Sequence, residues 1–479
     1  MENNNKNRMK GTERLRVVLS LAVLVIALAA YAVWVLKGNE VTVAGSIAAS
    51  LSLGLFALSL VLMIPAAIRF FKGEETEAVH AVGERSGRLS KLHPVISVML
   101  TVLLARVVLY ILAYILGMLL ADHQGSIFST MQRIWLKMDT DAPHYISIAE
   151  NGYTRVYPQM YTIVFPPLYP VLIHYCNYVF GNSFVSAMMI NTVCSLGAAA
   201  VIYELALCDM GRRAAKTAVL FTFALPGAIF MAAPMSEALF ILLCGASLLA
   251  MRKKKFWLAG LFGGLASCTR TLGVILIVPF AAEAIAYAVS RFREKGKERF
   301  AWTIVKLCAC ALMILLGTFF YLLINKLVWG DWFKFLEFQR EIWYQRFGPF
   351  YGTVATQTNM LFKSFTETED IIGLWLPNLL FIFGALTVLI FSARTLRTSY
   401  SLYFAAYLFV ACGATWLLSA PRYISALTVL PIALAHLCGS RDDGLALSRA
   451  RAKTWIVAVT LIVSQIAYLV MYILKYSIY

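Results

Sequence analysis

VVLSLAVLVIALAAYAVWV, Val17–Val35, contains no charged side chain, and neither does Trp455–Leu474 near the other end of the chain. At 1.5 Å rise per residue, about 20 apolar residues match the ~30 Å hydrocarbon core of a bilayer. In lipid every backbone polar group must be satisfied internally, so such runs are read as helices. Val17–Val35 is too long for a signal-peptide core and lacks a small-residue cleavage site, so it reads as a retained helix. Composition points the same way. Of 479 residues, 60% are hydrophobic and only 14% charged, against about a quarter charged in a soluble protein.

Working outward from these two runs, the chain reads as an all-α, polytopic membrane protein with about thirteen transmembrane helices. The candidate spans are 17–36, 44–68, 94–120, 184–207, 216–232, 236–251, 256–271, 273–290, 301–328, 372–393, 398–418, 421–438 and 454–475. Several are short, and helices of that kind belong to bundles whose loops dip toward the bilayer. Three regions follow. Residues 1–92 form a two-helix membrane hairpin with a charged loop, residues 93–440 form the core, and residues 441–479 form a basic loop and a last span.

The net charge of +17 invites a nucleic-acid partner, but its placement argues against one. Seven short segments between apolar runs hold 28 of the 42 Lys and Arg residues: 6–16, 69–91, 212–216, 252–255, 291–299, 394–397 and 441–453. That is the pattern of the positive-inside bias, which puts all seven in the cytoplasm. Consistency then requires that residues 161–207 cross the membrane an odd number of times. We assign one crossing to 184–207 and leave 161–180, with Pro166, Pro167 and Pro170, interfacial or re-entrant. The long loops 121–160 and 329–371 consequently lie outside, together with the connections at Pro234–Glu237, Thr269–Thr271 and Ser419–Tyr423. The nine cysteines show no paired or metal-like spacing and read as small apolar residues.

Chemistry-bearing residues gather in those outer segments. In Met138-Asp-Thr-Asp-Ala-Pro-His-Tyr-Ile-Ser-Ile-Ala-Glu-Asn-Gly-Tyr153, Pro143 suits a first helical turn, Asp141 an N-cap and Asn151-Gly152 a stop. A capped amphipathic helix on the membrane surface explains those residues. Two acids, Asp139 and Asp141, beside His144 exceed what a cap requires. Glu237 after Pro234-Met-Ser236 suits either a helix start or a site. Arg270 and Arg422 stand at helix junctions, where an arginine either snorkels or binds an anion. Gln339, Arg340 and Trp343 offer donors and an aromatic face suited to a sugar, although interfacial Trp is also expected of an aromatic belt. His174 reads as structural. No partner histidine lies at ligand spacing from His144, so no metal site is assigned, and no cofactor is required.

The segment from Asp141 to Tyr153 resembles the signature of the mannosyltransferase group that includes the second mannosyltransferase of GPI-anchor synthesis and its bacterial relatives, within the GT-C class of membrane glycosyltransferases. Further pieces follow in the same order. They are Phe165-Pro-Pro-Leu-Tyr-Pro-Val-Leu-Ile173, Leu225 to Phe240, Leu258-Ala-Gly260, Cys268-Thr-Arg-Thr-Leu-Gly273, Gly330 to Trp343 and Pro421-Arg-Tyr423. Thr140 stands where the group usually has Trp. The resemblance implies the GT-C fold and inverting transfer of a hexose, mannose by the family's name, from a polyprenyl-phosphate-sugar donor to a glycan, lipid or protein acceptor. It implies Asp141 as general base, with Asp139 as substitute, and Arg422 and Arg270 on the donor phosphate. His144, Tyr145, Glu237, Gln339, Arg340 and Trp343 would contact substrate. The expected setting is a bacterial plasma membrane with the site on the extracytoplasmic side. A transporter or flippase for a lipid-linked sugar is the alternative. It calls for ionisable groups at mid-membrane, where Arg106 and Glu204 are the exceptions to a loop-bound distribution.

Overall fold

The computed structural model describes residues 2–38, 41–73, 94–121, 125–295, 300–363, 367–439, 444–474, 476 and 478. Most of the basic loop within 69–91, and residues 440–443, lie outside them. The regular elements of the described residues are all helices, and their one β-bridge joins Phe347 to Ala414. Eight helices are long and apolar enough to cross a membrane: Gly11–Leu36, Val43–Phe71, Pro94–Leu120, Ser183–Leu207, Thr271–Glu294, Phe300–Trp329, Thr368–Ser392 and Ser448–Ile473.

The other five of the thirteen expected spans hold shorter helices: Arg212–Ala224, Glu237–Arg252, Phe256–Thr269, Thr398–Ala411 and Val429–Cys438. At 10 to 16 residues these extend about 15–24 Å, short of a ~30 Å hydrocarbon core. They are nonetheless the most deeply packed parts of the molecule, and their breaks explain their length. Leu225-Pro226 stops one helix and opens a 3₁₀ turn, Pro226–Met231, whose six residues are all buried. Arg270 is extended between Phe256–Thr269 and the 3₁₀ turn Thr271–Leu276. Irregular backbone in a membrane protein is tolerated where protein surrounds it, as it does here. Leu168–Phe180, the segment left interfacial or re-entrant by its charge pattern, is a 13-residue helix.

Small residues let these elements approach. Gly260 and Gly264 lie one turn apart on Phe256–Thr269, against Phe300–Trp329. A Cβ on Gly260 would strike the Cys310 carbonyl, and one on Gly317 would strike the Gly264 carbonyl. Contact of this kind, backbone on backbone, substitutes in lipid for the hydrophobic drive that water would supply. It fixes the helix whose end carries Arg270. Arg106, inside Pro94–Leu120, is buried and spent on structure. Its Nη2 donates to Ser195 Oγ at 2.7 Å and to the Met231 carbonyl at 2.6 Å.

One end of the bundle collects the described basic segments. Arg293 donates to the Lys72 carbonyl at 2.6 Å, Arg252 pairs with Asp209 at 2.6 Å, and Arg397 and Lys254 converge on Glu283. The opposite end collects the segments around Asp141, Glu237, Arg270, Trp343 and Arg422. The N-terminal hairpin joins that end through Thr42, whose hydroxyl reaches Asn359 Oδ1 at 2.5 Å, and through Tyr351, whose hydroxyl donates to the Ala30 carbonyl at 2.9 Å. The last helix also reaches it, with Tyr468 and Tyr472 edge-on to Phe230.

Candidate active site

Asp141 precedes helix Ala142–Asn151, where Pro143 occupies the first turn as the sequence suggests. Its carboxylate makes no capping hydrogen bond to that helix. It turns instead to Arg422 Nη2, 2.6 Å away, across the gap to the short helix Ala420–Ser425. The cap explanation therefore leaves the carboxylate unaccounted for, and the ion pair explains it.

Arg422 is one of two guanidiniums on a single oxygen. Its Nε and Arg270 Nη1 both donate to Glu237 Oε1, while Glu237 Oε2 has no hydrogen-bond partner among the described residues. Arg270 also approaches Ser236 Oγ at 3.3 Å, and that hydroxyl shares a 2.9 Å hydrogen bond with Tyr145. Aromatic faces support both cations. Arg422 lies over Phe230 at 5.3 Å, and Arg270 lies over Tyr423 at 5.2 Å. Four segments far apart in sequence thus supply two carboxylates and two guanidiniums, a neutral set. Neutrality is what permits Glu237, 1% exposed, and Arg422, 3% exposed, to keep their charges in the interior. Asp141 alone faces outward, with its side chain 27% exposed.

The electrostatics follow from that arrangement. Burial pushes the Asp141 carboxyl up, and Arg422, with smaller help from Arg270 and His144, outweighs it, so the group titrates below its ordinary value. Burial pushes the His144 imidazole down despite the pull of Asp141, which favours the neutral ring. That ring stacks on Phe165, with centroids 5.2 Å apart and planes at 22°, and Trp343 stands edge-on to Phe165 at 6.1 Å.

A cavity of about 110 Å³ opens beside Asp141, walled by Tyr145, Phe165, Arg270, Gln339, Trp343, Gln345 and Tyr423. It brings together one acid, one buried cation, two amides and aromatic faces. Such a pocket can hold a hydroxylated ring, take a proton at Asp141 and neutralise an anion at the guanidiniums. Of the expected members, His144, Glu237 and Arg422 adjoin the cavity through Phe165, Arg270 and Asp141 without lining it, and two others stand apart. Asp139 is 44% exposed and pairs with Lys137 at 3.2 Å, and Arg340 is half exposed beside Glu341. Neither lines the cavity. Thr140 turns inward, its hydroxyl bonded to the Lys137 carbonyl at 2.7 Å, and directs its neighbour Asp139 away. His174 holds the Ala149 carbonyl at 2.8 Å, a structural use. Gln345 and Phe230 belong to the site without any local signal that marks them in the sequence. Among the described residues, no three His, Cys, Asp or Glu side chains gather to hold a metal ion.

No curated protein sequence matches the chain. Among solved structures, the chain is similar to the crystal structure of ArnT from Cupriavidus metallidurans bound to undecaprenyl phosphate, with TM-score 0.35 and 14% identity over 72% of this chain and 73% of that one. Residues 165–321, which include Phe165, Glu237 and Arg270 and leave out Asp141 and Arg422, match the family model described as dolichyl-phosphate-mannose-protein mannosyltransferase.

Proposed function

We propose that the chain is a GT-C-class membrane glycosyltransferase that moves a sugar, mannose in the first instance, from a polyprenyl-phosphate carrier to an acceptor hydroxyl with inversion. The observation that supports this reading most strongly is the pairing of Asp141 with Arg422 beside a small pocket. A base and a phosphate-binding cation are within one ion-pair distance of each other, and the reaction needs both. The family likeness of residues 165–321 supports a phosphate-linked sugar as donor.

In this reading the donor phosphate approaches Arg422 and Arg270. Asp141 accepts the proton of the acceptor hydroxyl as that oxygen forms its bond to the anomeric carbon. The bond from the anomeric carbon to the phosphate oxygen breaks on the opposite face, and its electron pair leaves with the lipid phosphate. The two guanidiniums neutralise the developing charge. Glu237 keeps both guanidiniums aligned, while Phe165, Trp343 and Gln339 orient the sugar. The site lies on the extracytoplasmic side of a bacterial plasma membrane, opposite the basic segments. The likeness to the second mannosyltransferase of GPI-anchor synthesis belongs to the same proposal.

The test is sugar transfer by the full chain in lipid, supplied with polyprenyl-phosphate sugars and a panel of acceptors. Loss of transfer in a folded Asp141→Asn variant is the expected result, and undiminished transfer would remove Asp141 as the base. Translocation of the lipid-linked sugar without transfer would favour the transporter reading. Against that reading stands Arg106, the buried mid-span cation, which is already engaged by Ser195 and Met231.

A further inference from the structure

A second cavity, of about 360 Å³, lies between the end of the first helix and helix Phe350–Leu361, at the same end of the bundle as Asp141. Trp34, Lys37, Tyr351, Thr356 and Thr415 are among its walls. Its size falls within the ~300–1,000 Å³ common for small-molecule sites, whereas the cavity beside Asp141 falls below it. One strip of backbone separates the two. Gln345, which lines the first cavity, donates to the Trp416 carbonyl at 3.0 Å, and the next residue, Arg346, exchanges hydrogen bonds with Thr415, which lines the second. Gly348 N then donates to the Gly413 carbonyl at 2.7 Å, completing the strip.

The chemistry of the second cavity suits a sugar. Trp34 and Tyr351 pack edge-to-face at 5.7 Å and give it aromatic wall, and the Tyr351 hydroxyl is fixed on the Ala30 carbonyl. Thr356 donates its proton to the Gly352 carbonyl at 3.1 Å, which leaves its oxygen to accept. Thr415 accepts from Arg346 N at 3.0 Å, which leaves its proton to donate. Sugar hydroxyls both donate and accept, so this pair of threonines is complementary to them. Lys37 adds a donor at the mouth. Gly352 lets Trp34 pack close as a wall of the cavity, since a Cβ there would lie 2.9 Å from Trp34 Nε1.

The geometry points to this cavity as a binding site for a sugar residue of an extended glycan, whose nearer end sits beside Asp141. Naming that glycan as the acceptor rests on the glycosyl-transfer reading; the binding site itself does not. The N-terminal hairpin then supplies one wall of a glycan groove.

The experiment is saturation-transfer NMR on the full chain in nanodiscs, with soluble manno-, gluco- and N-acetylgluco-oligosaccharides as probes. At least one of them is expected to bind. Thr356→Val keeps shape and removes one hydrogen bond, so it should raise the Kd by up to about tenfold, and Gly352→Val, which displaces the Trp34 wall, should abolish binding. Binding that persists in both Thr356→Val and Gly352→Val would overturn the site, as would failure of every oligosaccharide to bind. Displacement of the probe by phosphatidylglycerol in the nanodisc would make it a lipid-headgroup site and equally overturn the proposal. Binding that maps to the cavity in a protein that transfers no sugar would leave the site standing and remove the transfer reading alone.

Discussion

Two buried ionic clusters sit at opposite ends of this bundle, and they differ in how fully their carboxylates are used. At the basic end, Glu283 accepts from Arg397 Nε at 2.6 Å and Ser399 at 2.7 Å on one oxygen, and from Arg397 Nη2 and Lys254 at 3.0 Å on the other. Both oxygens are satisfied, and helix Ile277–Lys295 is tied to Thr398–Ala411 and to the turn before Phe256–Thr269. At the other end, Glu237 takes two guanidiniums on one oxygen and none on its second, and Asp141 leaves part of its carboxylate facing a cavity. A saturated cluster gains nothing from a ligand. An under-used one can exchange a partner for a substrate, which is why the second is read as a site and the first as a lock.

Breaking each cluster tests that distinction. The largest effect is expected from Asp141→Asn, which removes the base and should lower the rate of sugar transfer by about 10²–10⁴-fold, the usual contribution of general base catalysis. Its thermal unfolding temperature should fall only modestly, by the loss of the pair with Arg422, and a collapse there would make the loss structural. Glu283→Ala should do the reverse. It strands Arg397 and Lys254 without their carboxylate, at a cost of about 3–5 kcal/mol. Unfolding in detergent reads that loss, while the rate per folded molecule should hold. If both variants lost stability and transfer together, the contrast between lock and site would fail.

A pH series sharpens the same contrast. The Asp141 carboxyl is held below its ordinary value by Arg422, so folding gains from its ionised form. That gain is complete above the unfolded value of about 3.9 and is lost only as pH falls below it, through the lower folded value. The stability difference between wild type and Asp141→Asn should therefore be flat from neutrality to about pH 5 and shrink in stronger acid. A difference that shrinks already near pH 6 would mean that Arg422 does not hold the carboxyl. The smallest change is expected at Asp139, an exposed partner of Lys137. Asp139→Asn should leave transfer within a few-fold of wild type, because its half-exposed carboxylate lies outside the cavity and pairs with Lys137. A larger loss in that assay would return Asp139 to the role of base.

Much of this was legible in the sequence, for identifiable reasons. Runs such as Val17–Val35 report local hydropathy, and lipid leaves such runs one secondary structure, so the all-α membrane class needed no tertiary information. Asp141, Arg270 and Arg422 stood out because each is a charge beside a helix break in an otherwise apolar chain. The number of membrane-length helices was less legible. Apolar composition is the same for a helix of membrane length and for a shorter one buried among its neighbours, and Glu237–Arg252 and Phe256–Thr269 are of the shorter kind.

What the sequence determined by itself is therefore the solvent this protein lives in and the short set of charges that its interior must accommodate. Only the tertiary structure decided which of those charges meet. Glu237 and Arg422 are 185 residues apart in sequence, and no local pattern couples them. The same holds for Asp139 and Asp141, two residues apart and alike in composition. The inward turn of Thr140 separates them, leaving one beside Lys137 and the other on Arg422, because a buried charge persists only where the fold brings it a partner.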